Sequence, residues 1–417
     1  MTNGKFVFSF AILAAAACSA TPNAPSSAQS INSGNALDPT KTRVPRNSPY
    51  DPNLKNVPAT TGRANLPLTS PPFAVSTIGK FDEPFAMAFT PRGDLLVTEK
   101  AGKLMVRTAD GAMGEVTGVP KVAAGGQGGL LDVAVAPDFT RSRTIYLSYA
   151  EPGAAGSALA LAKGTLDIDD ECVASPCPLH GAKLSNAAVI WRSGMNGPGG
   201  QFGANILFSP DGKYLFLSSG ERQRFSPAQD PKQALGKILR LTLDGKAAPG
   251  NPMYDKGGVE AMTWSTGHRN PYGMAFAPDG RLWEEEMGPR GGDELNLIVA
   301  GRNYGWPIVS NGDNYSGQPI PDHPSRPDFE APKLWWNPSI SPGGMIYYSG
   351  DMFLALKGSL LIAALSGEAL IQVRVAGDTA TPVAQWRMGG RIRDVAQAAD
   401  GSIWLLEDEG KLVRLSK

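Results

Sequence analysis

Beyond residue 70 the chain repeats one short pattern: an apolar run, a turn built from Pro, Asp or Gly, and a second apolar run. The pattern appears as AFTPRGDLLVTE from Ala88, VAPDFTRSRTIYLSYA from Val135 and LFSPDGKYLFLSSGE from Leu207. It returns as AFAPDGRLWEEE from Ala275, LALKGSLLIAAL from Leu354 and QAADGSIWLLEDE from Gln397. Each turn carries residues that tolerate the unusual backbone angles of a tight reversal, so each copy predicts a β-hairpin. The copies recur every 45 to 80 residues or roughly so, a loose period of the kind radial repeats show. The pattern predicts an all-β protein, a six-bladed β-propeller, in which radial repetition shields the sheet edges. A pair of β-sandwiches is the alternative; the long loops between hairpins argue against it.

The first 70 residues lack this texture. Lys5 precedes an apolar run from Phe6 to Ala17, shorter than the roughly twenty residues a bilayer span needs. Ala15, Ala16 and Ala17 then lead into Cys18. This reads as a signal peptide over residues 1–18, with Cys18 the lipidated first residue of the exported chain; ordinary cleavage near the same alanines is the alternative. Residues 19–70, rich in Ser, Pro, Asn and Thr, read as a flexible tether, and residues 71–417 as the folded domain. Both cleavage readings place the protein outside the cytoplasm, in the periplasm, touching a membrane only through the lipid. In an oxidising compartment Cys172 and Cys177, in ECVASPCPLHG, can close a small disulfide loop. A metal site with His180 is the rival, but it offers three local ligands where four are wanted.

Composition excludes one class of partner. Lys+Arg and Asp+Glu both number 39, so no basic field exists to neutralise nucleic-acid phosphates. The 49 Gly and 35 Pro fit a turn-rich architecture.

The candidate chemistry lies in the loops, where propellers assemble their sites. GGQGGLLDVAVAPDF (Gly125–Phe139), STGHRNPYGMAFAPDG (Ser265–Gly280) and WEEEMGPRGGDELNLIVAGRNYGWP (Trp283–Pro307) stand out, followed by NPSISPGGMIYYSG (Asn337–Gly350) and GGRIRDVAQAADG (Gly389–Gly401). Arg269, Arg391 and Arg393 offer guanidinium forks suited to carboxylates. Arg391 and Arg393, two apart on a strand-like stretch, face one side. Their combined charge points to an anionic ligand; an ion pair with a neighbour such as Asp394 is the plainer use of one arginine. Asn270 and Gln127 can orient carbonyl or ring-nitrogen atoms.

Taken together and in order, QGGLLDVA, GHRNPYG, GPRGGDELNLI, NYGWP and RIRDV closely resemble the soluble PQQ-dependent glucose and aldose sugar dehydrogenases, which include sorbosone dehydrogenase-like proteins. The resemblance runs from about Pro72 to the end and implies a six-bladed propeller with PQQ in its central mouth. It implies that Gln127, Arg269, Asn270, Arg391 and Arg393 contact PQQ or line its pocket. It implies that the carbonyls of Gly288 and Pro289 hold a calcium ion, a hard cation that oxygen ligands suit and that polarises the quinone. Glu294 and Tyr304 match part of a second, structural calcium site. The expected substrate is a small sugar, with electrons passing to a periplasmic acceptor.

The chain departs from the family at its catalytic position. Where the family places a base histidine, in a segment like H-F-G-x-R-I, this sequence reads QFGANILFSPDG: Gln201 replaces the histidine and Asn205 the arginine. Glu221 matches the acid that orients the histidine, and Met287 stands where a polar residue precedes Gly-Pro. An amide accepts no useful proton, and loss of general-base catalysis costs about 10²- to 10⁴-fold. Of the three histidines, His268 reads as a packing neighbour of the pocket, while His180 and His323 lie in loops. Glu221, Glu285 and Glu286 are carboxylate candidates for the base, each with a structural role as its plainer use. The sequence therefore supports a PQQ- and calcium-dependent sugar dehydrogenase, with a non-catalytic binder of PQQ, sugar or a partner as the alternative. A calcium-dependent lactonase is a more distant one.

Overall fold

The computed structural model describes residues 62–169, 181–194 and 196–417. Cys18, Cys172, Cys177 and His180 lie outside them, as do the residues read as a signal peptide and most of those read as a tether. The described chain is all-β, its few helices being single turns such as Phe139–Ser142 and Gly258–Met262.

All six predicted turns join two antiparallel strands. The pairs are Pro84–Phe89 with Leu95–Glu99, Leu130–Val135 with Thr144–Gly153, and Gly203–Phe208 with Tyr214–Ser219. They continue with Pro271–Phe276 and Leu282–Glu286, Pro342–Tyr348 and Ser359–Ala364, and Ile392–Gln397 and Ile403–Glu407. Three of the hairpins begin four-stranded antiparallel sheets, one begins a five-stranded sheet, and the first two share an eight-stranded sheet, joined where Met113–Thr117 pairs in parallel with Gly181–Arg192. The last sheet takes its fourth strand from the other end of the chain, where Ala74–Lys80 pairs with Lys411–Ser416. That pairing ties the two ends together. The first strands of the six hairpin units touch in sequence, and the sixth returns to the first. Apolar side chains fill the wedges between neighbouring units, for example Phe85, Leu131, Leu159, Ala204 and Leu217.

Folded structure begins before residue 71, where the tether was expected to end. Gly62–Arg63 adds a short parallel strand to Leu334–Trp336, Ala64 is buried, and the Thr69 N–H donates to the Gln385 carbonyl at 3.0 Å. The polar composition of this stretch concealed the pairing, because main-chain hydrogen bonds leave no mark on a hydropathy pattern.

Every first strand carries a register shift near its start. A bulge takes one residue out of the ladder and leaves backbone groups in need of another partner. In three units the third strand residue of the preceding unit supplies it. Asp132 Oδ2 accepts the Ile206 N–H at 2.7 Å, Asn205 Oδ1 that of Met274 at 3.1 Å, and Asp394 Oδ2 that of Met87 at 2.7 Å. The equivalent residues elsewhere are Ala86, Gly273 and Gly344. A polar layer thus staples neighbouring units around the axis, directly beneath the loops that carry the site.

Candidate active site

The strand register itself brings the first two site residues together. Gly203 pairs with Ser219, so the residues just outside that pair, Gln201 and Glu221, meet at the rim. The Arg222 N–H donates to the Gln201 carbonyl at 3.2 Å, and the Glu221 N–H to the Arg269 carbonyl at 2.9 Å. Gly220 permits this approach, since a Cβ there would lie 2.1 Å from the Gln201 carbonyl oxygen.

The backbone around these residues is strained. Of the ten non-glycine residues with positive φ among the described residues, five fall here: Gln201, Ala204, Arg222, Gln223 and Phe225. Such conformations cost about 1–3 kcal/mol each and persist only where the surroundings enforce them. Arg222 does much of the enforcing. It is buried, lies 3.8 Å over the Phe202 ring, and donates to the carbonyls of Gly200, Gly199, Gly197 and Ser157 at 2.9–3.2 Å. Its guanidinium holds the loop that presents Gln201.

Arg269 enters from the neighbouring unit. Its N–H donates to Glu286 Oε2 at 2.6 Å, which fixes the backbone, while Nη1 donates to the carbonyls of Met287 (2.9 Å) and Gly288 (2.7 Å). Nη2 donates to the Tyr315 hydroxyl at 3.2 Å, and the guanidinium lies 5.3 Å over Trp306. Gln201, Glu221, Arg269, Pro289, Trp306 and Tyr315 surround a cavity of about 310 Å³, large enough for a small organic ligand. Three buried polar atoms of its described lining residues have no partner: Gln201 Oε1, an acceptor, and Arg269 Nε and Trp306 Nε1, both donors. Unpaired buried groups carry a desolvation cost, and a ligand with a hydroxyl and anionic or carbonyl oxygens would satisfy the acceptor and the donors.

Glu221 is 1% exposed. Its Oε2 accepts the N–H groups of Arg224 and Phe225, the latter at 2.5 Å. Burial holds its carboxyl above the ordinary glutamate range; those N–H groups and the Arg269 charge only partly oppose the shift.

The remaining sequence-predicted residues divide into those joined to this cavity and those set apart. Gln127 joins it, Oε1 accepting the Gln201 N–H at 2.6 Å. Asn270 joins it from below: Oδ1 accepts the Gly203 N–H at 3.1 Å, and Nδ2 lies 3.7 Å from the Met287 sulfur. Arg391 and Arg393 do share a side, as their spacing predicts, and both grip Asp408 at 2.6–3.0 Å. Asp394, the partner suggested by proximity in sequence, instead accepts backbone N–H groups. Neither arginine is among the residues that line the cavity.

Glu286 has a structural position, whereas both carboxyl oxygens of Glu285 are buried without a hydrogen-bond partner. Glu286 binds the N–H of Arg269 and pairs with His268 Nδ1 at 3.1 Å. Glu285 is buried under Gly273. His268 is buried, meets Ser265 Oγ at 2.9 Å and stacks on Tyr304. His323 faces Glu294 at 3.4 Å.

The two expected cation sites differ in their fit. The Gly288 carbonyl accepts Arg269 Nη1, so an ion there has to displace that hydrogen bond. The second site has donors to spare. Glu284 and Glu286 on one strand face Asn296 and Glu294 on the next; all four are buried, and Glu284 Oε1 and Asn296 Oδ1 have no partner. Burial first, and the Glu286 charge second, hold the Glu284 carboxyl well above its usual range. Beside them lies a cavity of about 10 Å³ lined by Glu286, Glu294, Tyr304 and Ser310, the room one water-sized particle needs. A hard cation suits this oxygen-rich set.

Sequence reasoning missed Arg222, Trp306 and Tyr315. Trp306 and Tyr315 lie in a long loop whose path no hydropathy pattern reports; the density of aromatic and Asn residues after Gly301 was the available hint.

The comparisons place this architecture. The model of the family described as Glucose / Sorbosone dehydrogenase matches residues 81–414. The chain is 39% identical over 348 residues to the aldose sugar dehydrogenase YliI of Escherichia coli (strain K12), covering 81% of this chain and 91% of that one. The crystal structure of the soluble aldose sugar dehydrogenase from Escherichia coli superimposes with a TM-score of 0.74 at 36% identity, over 82% of this chain and 99% of the other. The PQQ-bound aldose sugar dehydrogenase from Streptomyces coelicolor gives a TM-score of 0.65 at 28% identity, over 84% and 99%. This chain, a β-propeller by the same likeness, belongs to the glucose/sorbosone dehydrogenase family.

Proposed function

We propose that the chain is a PQQ-dependent sugar dehydrogenase that oxidises the C1 hydroxyl of an aldose, or a related alcohol, in the mouth of a six-bladed propeller. The cyclic order in which the first strands of the six hairpins touch supports the blade count. The observation that carries the activity is the rim cavity itself, where Gln201, Glu221 and Arg269 converge and an acceptor and two donors are left without partners. When bound, PQQ supplies the two-electron quinone that receives hydride. Arg269, through its unpaired Nε, would hold an oxygen of PQQ, with Gln127 and Asn270 fixing the loops on either side; Gln201 Oε1 would accept a sugar hydroxyl. Calcium at Gly288 and Pro289 would polarise the quinone, with Arg269 moving off the Gly288 carbonyl; Glu294 and Tyr304 would hold a structural ion. The apolar run ahead of Cys18 supports a periplasmic enzyme on a lipid tether, with a periplasmic electron acceptor.

One feature favours a second reading, a binder of PQQ or sugar without turnover: no histidine among the described residues lines the cavity. A single experiment separates the two. Apo-protein is assayed for dye-linked oxidation of a panel of aldoses with and without added PQQ and calcium, beside a PQQ titration. Sugar-dependent dye reduction requiring PQQ is expected. Tight PQQ binding with no turnover would establish the binder, and no PQQ binding would overturn both readings.

A further inference from the structure

If sugar oxidation takes place in the rim cavity, a hydroxyl proton must be taken up there, and the wall offers few groups able to take it. Gln201, Gln223 and Asn314 end in amides, and Arg269 is a donor only. Ser316 carries an ordinary hydroxyl. The Tyr315 oxygen is engaged by Arg269 Nη2 at 3.2 Å. Glu221 is the one carboxylate among the described lining residues.

We infer that Glu221 is the proton acceptor of this site: it takes the hydroxyl proton of the bound sugar as the adjoining C–H leaves as hydride. The inference rests on the dehydrogenase reading above. The step balances. The sugar O–H bond breaks and a carboxyl O–H bond forms on Glu221. The C–H bond breaks, its electron pair and hydrogen going to the quinone, and the sugar C–O single bond becomes a carbonyl. The quinone is reduced by two electrons and the sugar is oxidised by two.

Three features fit Glu221 to this role. Its Oε2 is pinned by the Arg224 and Phe225 N–H groups, so the carboxylate is held rather than free to swing. Those groups sit on the strained turn at Arg222–Phe225, whose geometry is explained if it aims the carboxylate. Burial also makes the carboxylate a stronger base than an exposed glutamate, which brings it nearer the working range of a general base. The charged groups around it are Arg269 from the adjoining unit and Arg222 and Arg224 on its own loop; Arg269 opposes the burial effect without cancelling it. Gln201 is then a substrate-holding group, its amide oxygen accepting a hydrogen bond and leaving the proton transfer to Glu221.

The test compares parent, Glu221→Gln and Glu221→Ala, each loaded with PQQ and calcium. PQQ affinity is read by quenching of tryptophan fluorescence, and turnover by dye reduction across pH. Glu221→Gln is expected to bind PQQ within about twofold of the parent and to lose about 10²- to 10⁴-fold in kcat. The acid limb of the parent pH profile should lie above the ordinary glutamate range and be absent from the variant's residual rate. Added acetate or formate should restore part of the Glu221→Ala turnover, a rescue that a purely structural role would not give. Turnover in Glu221→Gln within threefold of the parent, or an unchanged acid limb, overturns the inference and leaves the dehydrogenase reading intact. Lost PQQ affinity in Glu221→Gln also overturns it, by assigning Glu221 to cofactor binding. A parent that binds PQQ and reduces no dye overturns the dehydrogenase reading, and this inference with it.

Discussion

Two acid-bearing regions lie one above the other near the axis, and they are built on opposite principles. In the lower layer the carboxylates of Asp132 and Asp394 are matched to backbone N–H groups: Asp132 takes those of Ile206 and Val133, Asp394 those of Met87 and Val395. Every such bond secures a bulge, and the layer staples units together. At the rim Glu221 is likewise held by N–H groups, yet beside it Gln201 Oε1 and Arg269 Nε are left unpaired and the backbone is strained. The lower layer spends its polar groups on the fold; the rim keeps some in reserve for a ligand. Burial of an acid therefore does not by itself mark a catalytic group. What separates the two regions is whether the neighbouring polar atoms are satisfied and whether a cavity adjoins them.

The largest expected effect falls on the rim. Arg269→Gln removes one unpaired donor and the bonds to Met287 and Gly288, and should weaken PQQ binding by about 10²-fold or more, since hydrogen bonds to charged groups are worth about 1.5–3 kcal/mol each; a fluorescence titration reads this. An unchanged affinity would erase the distinction drawn above. Gln201→His places an imidazole beside Glu221 and should raise turnover about tenfold or more, while moving the acid limb toward the histidine range. If neither changes, Gln201 does not face the substrate.

The lower layer should answer to pH in stability and not in catalysis. Burial pushes the Asp132 carboxyl up to about 7, and burial with the Asp132 charge pushes Asp394 up to about 8. Both lie above the unfolded value near 3.9, so the folded state holds the extra protons. The stability tied to them is complete below about pH 4 and is lost as pH rises through about 8. Asp394→Asn should flatten that fall by about 1–3 kcal/mol in urea unfolding measured at pH 4 and pH 8, with kcat unchanged. A pH-independent parent would show that the layer ionises freely. The smallest effect is expected of Tyr315→Phe, which removes one exposed partner of Arg269 and should raise the KM for sugar about threefold, consistent with a neutral hydrogen bond. A much larger change would make Tyr315 part of the binding wall in its own right.

Much of this was legible in the chain. The six turns predicted from Pro, Asp and Gly all join strand pairs, because a tight reversal between apolar runs is a local requirement that local residues must meet. Arg269, Asn270 and Gln127 were found because they sit in loops too rich in functional groups for mere connection; Glu221 lies outside those loops and was found only through the family resemblance. Arg391 and Arg393 were harder. Their shared side followed from strand periodicity, but their partner Asp408 lies across a hairpin that spacing cannot specify.

Residue types and contacts within single hairpins were enough to set the strand-turn-strand repeat, the all-β class and the amide at position 201. The tertiary structure alone decided which buried acids are structural and which faces a cavity. It decided that Arg222 grips the Gln201 loop, and that residues 62–69 pack on the sheets through main-chain bonds. These depend on pairings between residues far apart in the chain, where desolvation and unsatisfied hydrogen bonds, rather than local propensity, assign each polar group its task.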